Sequence, residues 1–116
     1  MAARGTRGPV NTIAAAMTRT LDSYLTDVLM RDLVGHDRAA SAFLVYLWLW
    51  RMSRGEGRDR IGASLQTIAT RTGLSKSAVQ AGVRHLKRRK LVTAFRSGPT
   101  AAPVYEVHEP WRRSGG

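Results

Sequence analysis

An unbroken run of nine apolar residues, Ala42 to Trp50, is the feature that most constrains the fold. A membrane-spanning helix needs about 20 such residues, so the run is too short for a span and must be buried in protein. The surrounding segment 38–53 is rich in Ala and Leu, which favours a helix over a strand. Because a helix that is apolar on all sides is enclosed by other elements, this chain of 116 residues is predicted to form one domain around one central helix.

An amphipathic helix is predicted over residues 11–35, because apolar residues recur there at steps of three to five. Its apolar side must cover another surface, either the central helix or a second copy of the chain in a homodimer. Gly35 breaks this helix, and Asp37 is predicted to cap the central one. The apolar stripe consists of Ile13, Met17, Leu21, Leu25, Val28 and Leu33.

The two ends of the chain are predicted to carry little regular structure. Residues 1–10 contain two Gly, one Pro and basic side chains, which indicates a flexible basic arm. No apolar run follows this arm as a secretory signal would require, so a cytoplasmic location is expected. Residues 110–116 are predicted to form a short tail.

Positive charge is concentrated in one part of the sequence. Nineteen Lys and Arg against eight Asp and Glu give a net charge of 19 − 8 = +11. No acidic residue lies between Arg60 and Tyr105, although this window holds nine of the basic residues. A face that is exposed only for solubility normally mixes both signs. The window therefore predicts a polyanionic partner.

Residues 64–108 carry the signals of two short helices followed by a strand pair. Ser64 is predicted to cap the first helix and Gly73 to end it with a positive φ, while Ser75 caps the second helix, which has an apolar stripe of its own. Segments 91–96 and 103–108 have strand composition, with a loop over 97–102. The fold class is thus mainly α with a small β-ribbon. The second helix's stripe consists of Val79, Val83 and Leu86.

This arrangement resembles the winged helix-turn-helix of small bacterial DNA-binding proteins. The resemblance runs from residue 40 to residue 108, and a winged helix-turn-helix domain over 36–109, preceded by the N-terminal amphipathic helix, is what it implies. The matching spacing is small Ala69, turn Gly73, then Leu74 and capping Ser75. By this resemblance helix 75–89 enters the major groove of double-stranded DNA, and the wing, 91–108, lies on the backbone or in the minor groove.

The resemblance also assigns candidate contacts. The first turns of the second helix go deepest, which makes their polar residues candidates for base edges. Cationic residues farther along this helix and in the wing, together with polar residues at the helix starts, are candidates for phosphate contacts. Gly82, in the middle of that helix, is explained by close packing against another helix. The base candidates are Lys76, Ser77, Gln80 and Arg84, and the phosphate candidates are Ser64, Thr67, Arg71, Ser75, Lys87, Arg88, Arg89, Lys90 and Arg96.

Catalysis has little support in the sequence. The chain has no Cys, and His36, His85 and His108 lie far apart without a carboxylate at metal-ligand or triad spacing. The acids at 22, 27 and 32 are spread round a helix, as surface solubility charges are. We therefore expect no catalytic residue, cofactor or metal, and a chain that is not an enzyme.

Two classes of function fit these patterns. The first is a cytoplasmic, nucleoid-associated DNA-binding protein that regulates transcription as a homodimer, with a plasmid or phage replication-initiation or partition accessory as a close variant. The second is a protein-interaction module on a winged-helix scaffold, whose basic face docks an acidic protein or a membrane surface. RNA binding is less favoured, because residues 60–90 lack aromatic side chains among the basic ones.

Overall fold

The computed structural model describes residues 21–112. The predicted basic arm, the first part of the predicted N-terminal helix and the last four residues of the tail lie outside that range. The helices are α1 (residues 23–36), α2 (Ala40–Met52), α3 (Leu65–Thr72) and α4 (Lys76–Arg88), and the strands are β1 (Arg60–Gly62), β2 (Val92–Phe95) and β3 (Val104–Val107). Single 3-10 turns follow α2 at Arg54–Glu56 and β3 at Pro110–Arg112.

The predicted central helix is confirmed as α2. It contacts α1, α3, α4 and β3, and six of its 13 residues are buried and five more are partly buried. Tyr46 is fully buried and its hydroxyl donates to the carbonyl of His108, which satisfies the polar end of an otherwise apolar residue. At the end of α2, the buried hydroxyl of Ser53 donates to the carbonyl of Leu49 at 2.7 Å. The core is therefore built around one helix, as its apolar run requires.

The helix α1 is wound more loosely than an ordinary α-helix. Leu25–Leu29 and Arg31–His36 form π-helical turns, in which hydrogen bonds join residues five apart. This wider turn brings residues four apart onto one line, and Leu25, Leu29 and Leu33 are all buried against the core. Val28, which the predicted stripe included, is 37% exposed instead. The predicted stripe was therefore wrong at Val28 and at Leu21, which is 41% exposed, and it left out the buried Leu29.

The two strands of the wing, β2 and β3, belong to a three-stranded antiparallel sheet in the order β1–β3–β2. Val92 pairs with Val107 and Phe95 with Val104, which confirms the predicted strand pair and its connecting loop. The sequence analysis predicts no strand before the helix-turn-helix, whereas Ile61 there pairs with Tyr105 as part of β1. A strand of three residues has too little pattern to be detected, and its pairing with β3 is what defines it.

The start of α2 differs from the prediction. Its N-cap is Ala39, which makes no side-chain capping bond, and Asp37 does not cap the helix. The Asp37 carboxylate instead binds the side chains of His36, His85 and Arg89. Hydrogen bonds from His85 on α4 and from Arg89, which follows α4, thus outweigh the local cap that the sequence suggested.

The segment after β3 closes the fold against α1. The indole of Trp111 stacks on Tyr24, with ring centroids 4.4 Å apart and planes 12° from parallel. Asp22 accepts a bond from the Trp111 ring nitrogen at 3.2 Å and another from Arg112 at 2.7 Å. Asp22 is therefore a structural anchor, not the solubility charge that its spacing suggested.

Candidate nucleic-acid interface

Two serine caps and one glycine set the geometry of the helix-turn-helix. The Ser64 hydroxyl accepts from the backbone of Thr67 at 3.1 Å, and the Ser75 hydroxyl accepts from that of Ala78 at 3.1 Å. Gly73 ends α3 at φ +83°, and no atom would obstruct a Cβ there. The backbone angle, not a lack of space, is therefore what requires glycine at the turn.

The helix α4 is fixed by a close backbone contact with α2. A Cβ added at Gly82 would lie 3.2 Å from the backbone nitrogen and Cα of Ala42 and from the carbonyl oxygen of Ser41. The interpretation of Gly82 as a site of close helix packing is therefore supported. The remaining buried residues of α4 form the apolar stripe Val79, Val83 and Leu86.

The side of α4 that faces away from the core is polar and cationic. The residues of this exposed face are all solvent-accessible, and its Lys and Arg residues form no ion pair with a carboxylate in the described part of the chain. Arg88 donates to the ring of His85 at 3.0 Å, and the other cations of the face point to solvent. The exposed face of α4 consists of Lys76, Ser77, Gln80, Arg84, Lys87 and Arg88.

A groove joins the start of α4 to the start of α3 and to the wing loop. Its volume is about 290 Å³, and its polar lining includes Ser64, Gln66, Lys76 and Arg96. Arg96 also donates to the carbonyl of Ala101 at 2.9 Å and so holds the loop in shape. Predicted contacts from three separate elements are thus brought together along one side of α4.

A second groove lies at the other end of α4, beside the free edge of β2. Lys87 and Lys90 line it together with Thr93 and His108, whose side chains are hydrogen-bonded at 2.7 Å. Both lysines are exposed. This groove and the one at the start of α4 therefore place cations between α4 and the wing at both ends of the helix.

Two predicted phosphate contacts have different surroundings. Arg89 binds Asp32 at 2.6 Å and also binds Asp37, and the hydrogen bond that Arg89 donates to Asp32 leads the contacts that raise the pKa of Arg89. Arg71 lines a groove between α2 and α3 with Trp48, apart from the exposed face of α4. Neither residue lies on the exposed face of α4 or lines the two grooves beside it, and their contact with phosphate stays a prediction.

The sequence did not reveal the cluster that Asp37 forms with His36, His85 and Arg89, because His85 and Arg89 lie 48 and 52 residues after Asp37. His36 Nδ1 lies 2.9 Å from one carboxylate oxygen of Asp37, and His85 Nε2 lies 2.7 Å from the other. The hydrogen bond from His36, followed by that from His85, holds the pKa of Asp37 well below its ordinary value. The same bond raises the pKa of His36.

Asp32, His36 and Asp37 are also the group within residues 21–112 whose atoms are close enough to share a metal ion, lying within 4.8 Å of one another. The Arg89 guanidinium already binds both carboxylates, so an ion there would compete with a charge that the fold supplies. The contacts present therefore describe an ion-pair cluster that joins α1 to α4.

The fold and this surface define a winged helix-turn-helix protein. Residues 40–92 match a family model described as a helix-turn-helix domain, and the match extends from the start of α2 to the start of β2. The chain therefore carries a helix-turn-helix domain, a class of module that binds DNA. Searches of curated proteins and of solved structures gave no significant match. Within residues 21–112, no helix has both the length and the apolar character to cross a membrane.

Proposed function

We propose that this protein binds double-stranded DNA by inserting α4 into the major groove, with the wing on the backbone or in the minor groove. The observation that carries the proposal is the exposed face of α4, whose cations have no carboxylate partner in the described chain. A major groove about 12 Å wide admits one helix. Cations in the two grooves beside α4 are positioned to meet the flanking phosphates. The role is one of binding, not catalysis.

Salt dependence tests this proposal directly. If six to eight phosphates are neutralised, log affinity falls with log salt at a slope of about −5 to −7. Fluorescence anisotropy with a random duplex over a salt series measures that slope. A flat response, or tighter binding to anionic vesicles than to the duplex, contradicts the proposal and favours the interaction-module alternative.

Gln80 is the residue we assign to sequence discrimination. It is exposed near the start of α4, and a glutamine amide pairs bidentately with adenine. Duplexes selected in vitro from a random pool provide the sites for the test. Gln80→Ala is expected to narrow the affinity gap between selected and random duplexes while leaving the salt slope unchanged. An equal loss of affinity on all sequences contradicts this assignment.

We propose that the biological role is transcription regulation in the cytoplasm of a bacterium, on the nucleoid. Recovery of bound fragments from cells distinguishes it from the replication or partition role. Fragments from promoters support regulation, and fragments confined to a replication origin or partition site support the alternative.

We also propose that two copies pair through α1. Val28, Met30 and Val34 of this helix are each between 37% and 40% exposed, so α1 leaves apolar surface for a second copy to cover. Pairing would cover them and give the second half-site that a single helix-turn-helix lacks. Light scattering at micromolar concentration is expected to give a dimer mass, and Val28→Lys a monomer. A monomer mass for the unchanged protein contradicts pairing.

A further inference from the structure

Two cationic residues adopt a backbone conformation that ordinarily favours glycine. Within residues 21–112, positive φ angles occur at Gly57 and Gly73, as expected, and also at Arg38 (φ 56°) and Lys90 (φ 60°). A side chain in this left-handed region costs about 1 kcal/mol, because its Cβ approaches the following carbonyl oxygen. Both residues end a helix, where glycine is the usual choice.

At Lys90 the backbone alone accounts for the end of α4. The amide of Leu91 bonds to the carbonyl of Leu86 at 2.9 Å, and that of Lys90 bonds to the carbonyl of Lys87 at 3.0 Å. This is the Schellman pattern, with Leu91 and Leu86 both buried as its apolar contact. Glycine would make the same bonds with less strain, so the lysine side chain does nothing for the helix end.

Arg38 has the same character at the end of α1. The amides on either side of it are bonded, Asp37 to the carbonyl of Asp32 at 2.9 Å and Ala39 to that of Leu33 at 2.8 Å. The Arg38 side chain is exposed and makes no hydrogen bond or ion pair within the described chain. The fold therefore uses the backbone of this residue and leaves its guanidinium free.

These two cations lie on opposite flanks of α4. The segment that contains Arg38 packs along one flank, where Asp37 binds His85 and the backbone of Ala42 approaches Gly82. Lys90 lines the groove on the other flank, between α4 and the edge of β2. The exposed face of α4 lies between them.

We propose that Arg38 and Lys90 are phosphate contacts that bracket α4, one on each side of the major groove it enters. This inference rests on the proposed function. A helix in the major groove has a phosphate backbone along each flank, and a free cation on each side holds the helix in register between the two backbones. A phosphate ligand gives each side chain the partner that the described fold does not.

Replacing each cation by glycine separates the effect of the residue on backbone strain from its effect on DNA binding. Arg38→Gly and Lys90→Gly are each expected to raise the melting temperature, since glycine relieves the left-handed conformation. Each is also expected to lower the magnitude of the salt slope by about 0.9, which is about an 8-fold loss of affinity at 0.1 M salt, because one phosphate contact is removed. The double variant is expected to lose about 1.8 from the slope. Lys90→Arg keeps the charge and is expected to keep the slope.

Arg58→Gly is the matched control. This substitution also removes one exposed cation, but Arg58 precedes β1, the strand on the far side of the sheet from β2. The salt slope of the Arg58→Gly variant is expected to match that of the unchanged protein. An unchanged slope in Arg38→Gly or Lys90→Gly, with the parent slope still steep, overturns the inference and leaves the proposed function standing. A flat slope in the parent protein overturns both. A lower melting temperature in either variant also overturns the inference, because it shows that the side chain supports the fold.

Discussion

Single residues with several partners fix the position of α4. Asp37 joins the end of α1 to His85 on α4 and to Arg89 at its C-cap, and the side chain of Asp37 is only 10% exposed. Gly82 fixes the same helix because, without a side chain, it lets the backbone of α2 approach closely. The chain thus holds α4 by one charge cluster and one close backbone contact, both on the flank away from the wing.

Replacing Asp37 by Asn is expected to destabilise the protein by about 2 kcal/mol near pH 6, because the side chains of His36, His85 and Arg89 lose the negative charge and one of the two acceptor oxygens of the carboxylate. The depressed pKa of Asp37 means that its contribution is present above the ordinary Asp value of about 3.9 and is lost as the pH falls. The gap in melting temperature between the two proteins should therefore narrow towards pH 3. Asp27→Asn is the control, since Asp27 is exposed on α1, and it should leave the melting temperature unchanged at both pH values.

Gly82→Ala is expected to lower stability by about 1 kcal/mol, although alanine is the better helix former by about the same amount. The added methyl group meets only backbone atoms of α2, which cannot rotate away. Chemical denaturation measures the change. Ala81→Gly, at the exposed neighbouring position, gives the cost of helix propensity alone. A Gly82→Ala protein more stable than its parent contradicts the close-packing explanation.

The helices, strands and turns differ in how far neighbouring residues in the sequence decide their structure. The caps Ser64 and Ser75 and the turn at Gly73 were predicted because each depends on neighbours within a few residues. The strand β1 was missed, and so was the π-helical winding of α1, because pairing with β3 and packing on the core decide them. The exposed candidates on α4 were found from helical spacing, whereas the partners of Arg89 come from residues more than 50 positions earlier.

Ser75 links the stability of α4 to the proposed interface. Ser75→Ala removes the acceptor for the backbone of Ala78 and is expected to cost about 1 kcal/mol. Ser75→Asp keeps a capping oxygen, so its stability should stay near that of the parent, while its added negative charge should weaken DNA binding. Thermal melting and anisotropy on the same samples separate the two effects. Equal DNA affinity in the Asp variant would place the start of α4 away from DNA.

At the scale of the whole molecule, α1 is attached at both of its ends. Its first residues meet the segment after β3 through the Tyr24–Trp111 stack, and its last residues meet α4 through Asp32 and Asp37. The sequence indicated that α1 covers the core or a partner, but it did not identify which residues of α1 make these attachments. Contacts between residues so far apart along the chain depend on the finished fold, not on a local pattern.

The Tyr24–Trp111 stack should be measurable as a coupling between the two residues. In a double-mutant cycle, Tyr24→Ala and Trp111→Ala are expected to show a coupling of about 1 kcal/mol in the free energy of unfolding, as stacked aromatic pairs do. Tyr24→Ala with Phe95→Ala is the control, because Phe95 is exposed on the wing under Arg60. That pair should be additive, and a coupling near zero for the stacked pair would contradict the contact.

The strands on either side of the helix-turn-helix, β1 before it and β2 after it, are both hydrogen-bonded to β3. The helix-turn-helix is therefore the segment of the chain between the two neighbours of β3. Separation of β3 from the sheet would free both ends of this segment at once. The sheet and the helix-turn-helix should accordingly unfold in a single cooperative step, with their amide protons becoming exchangeable together.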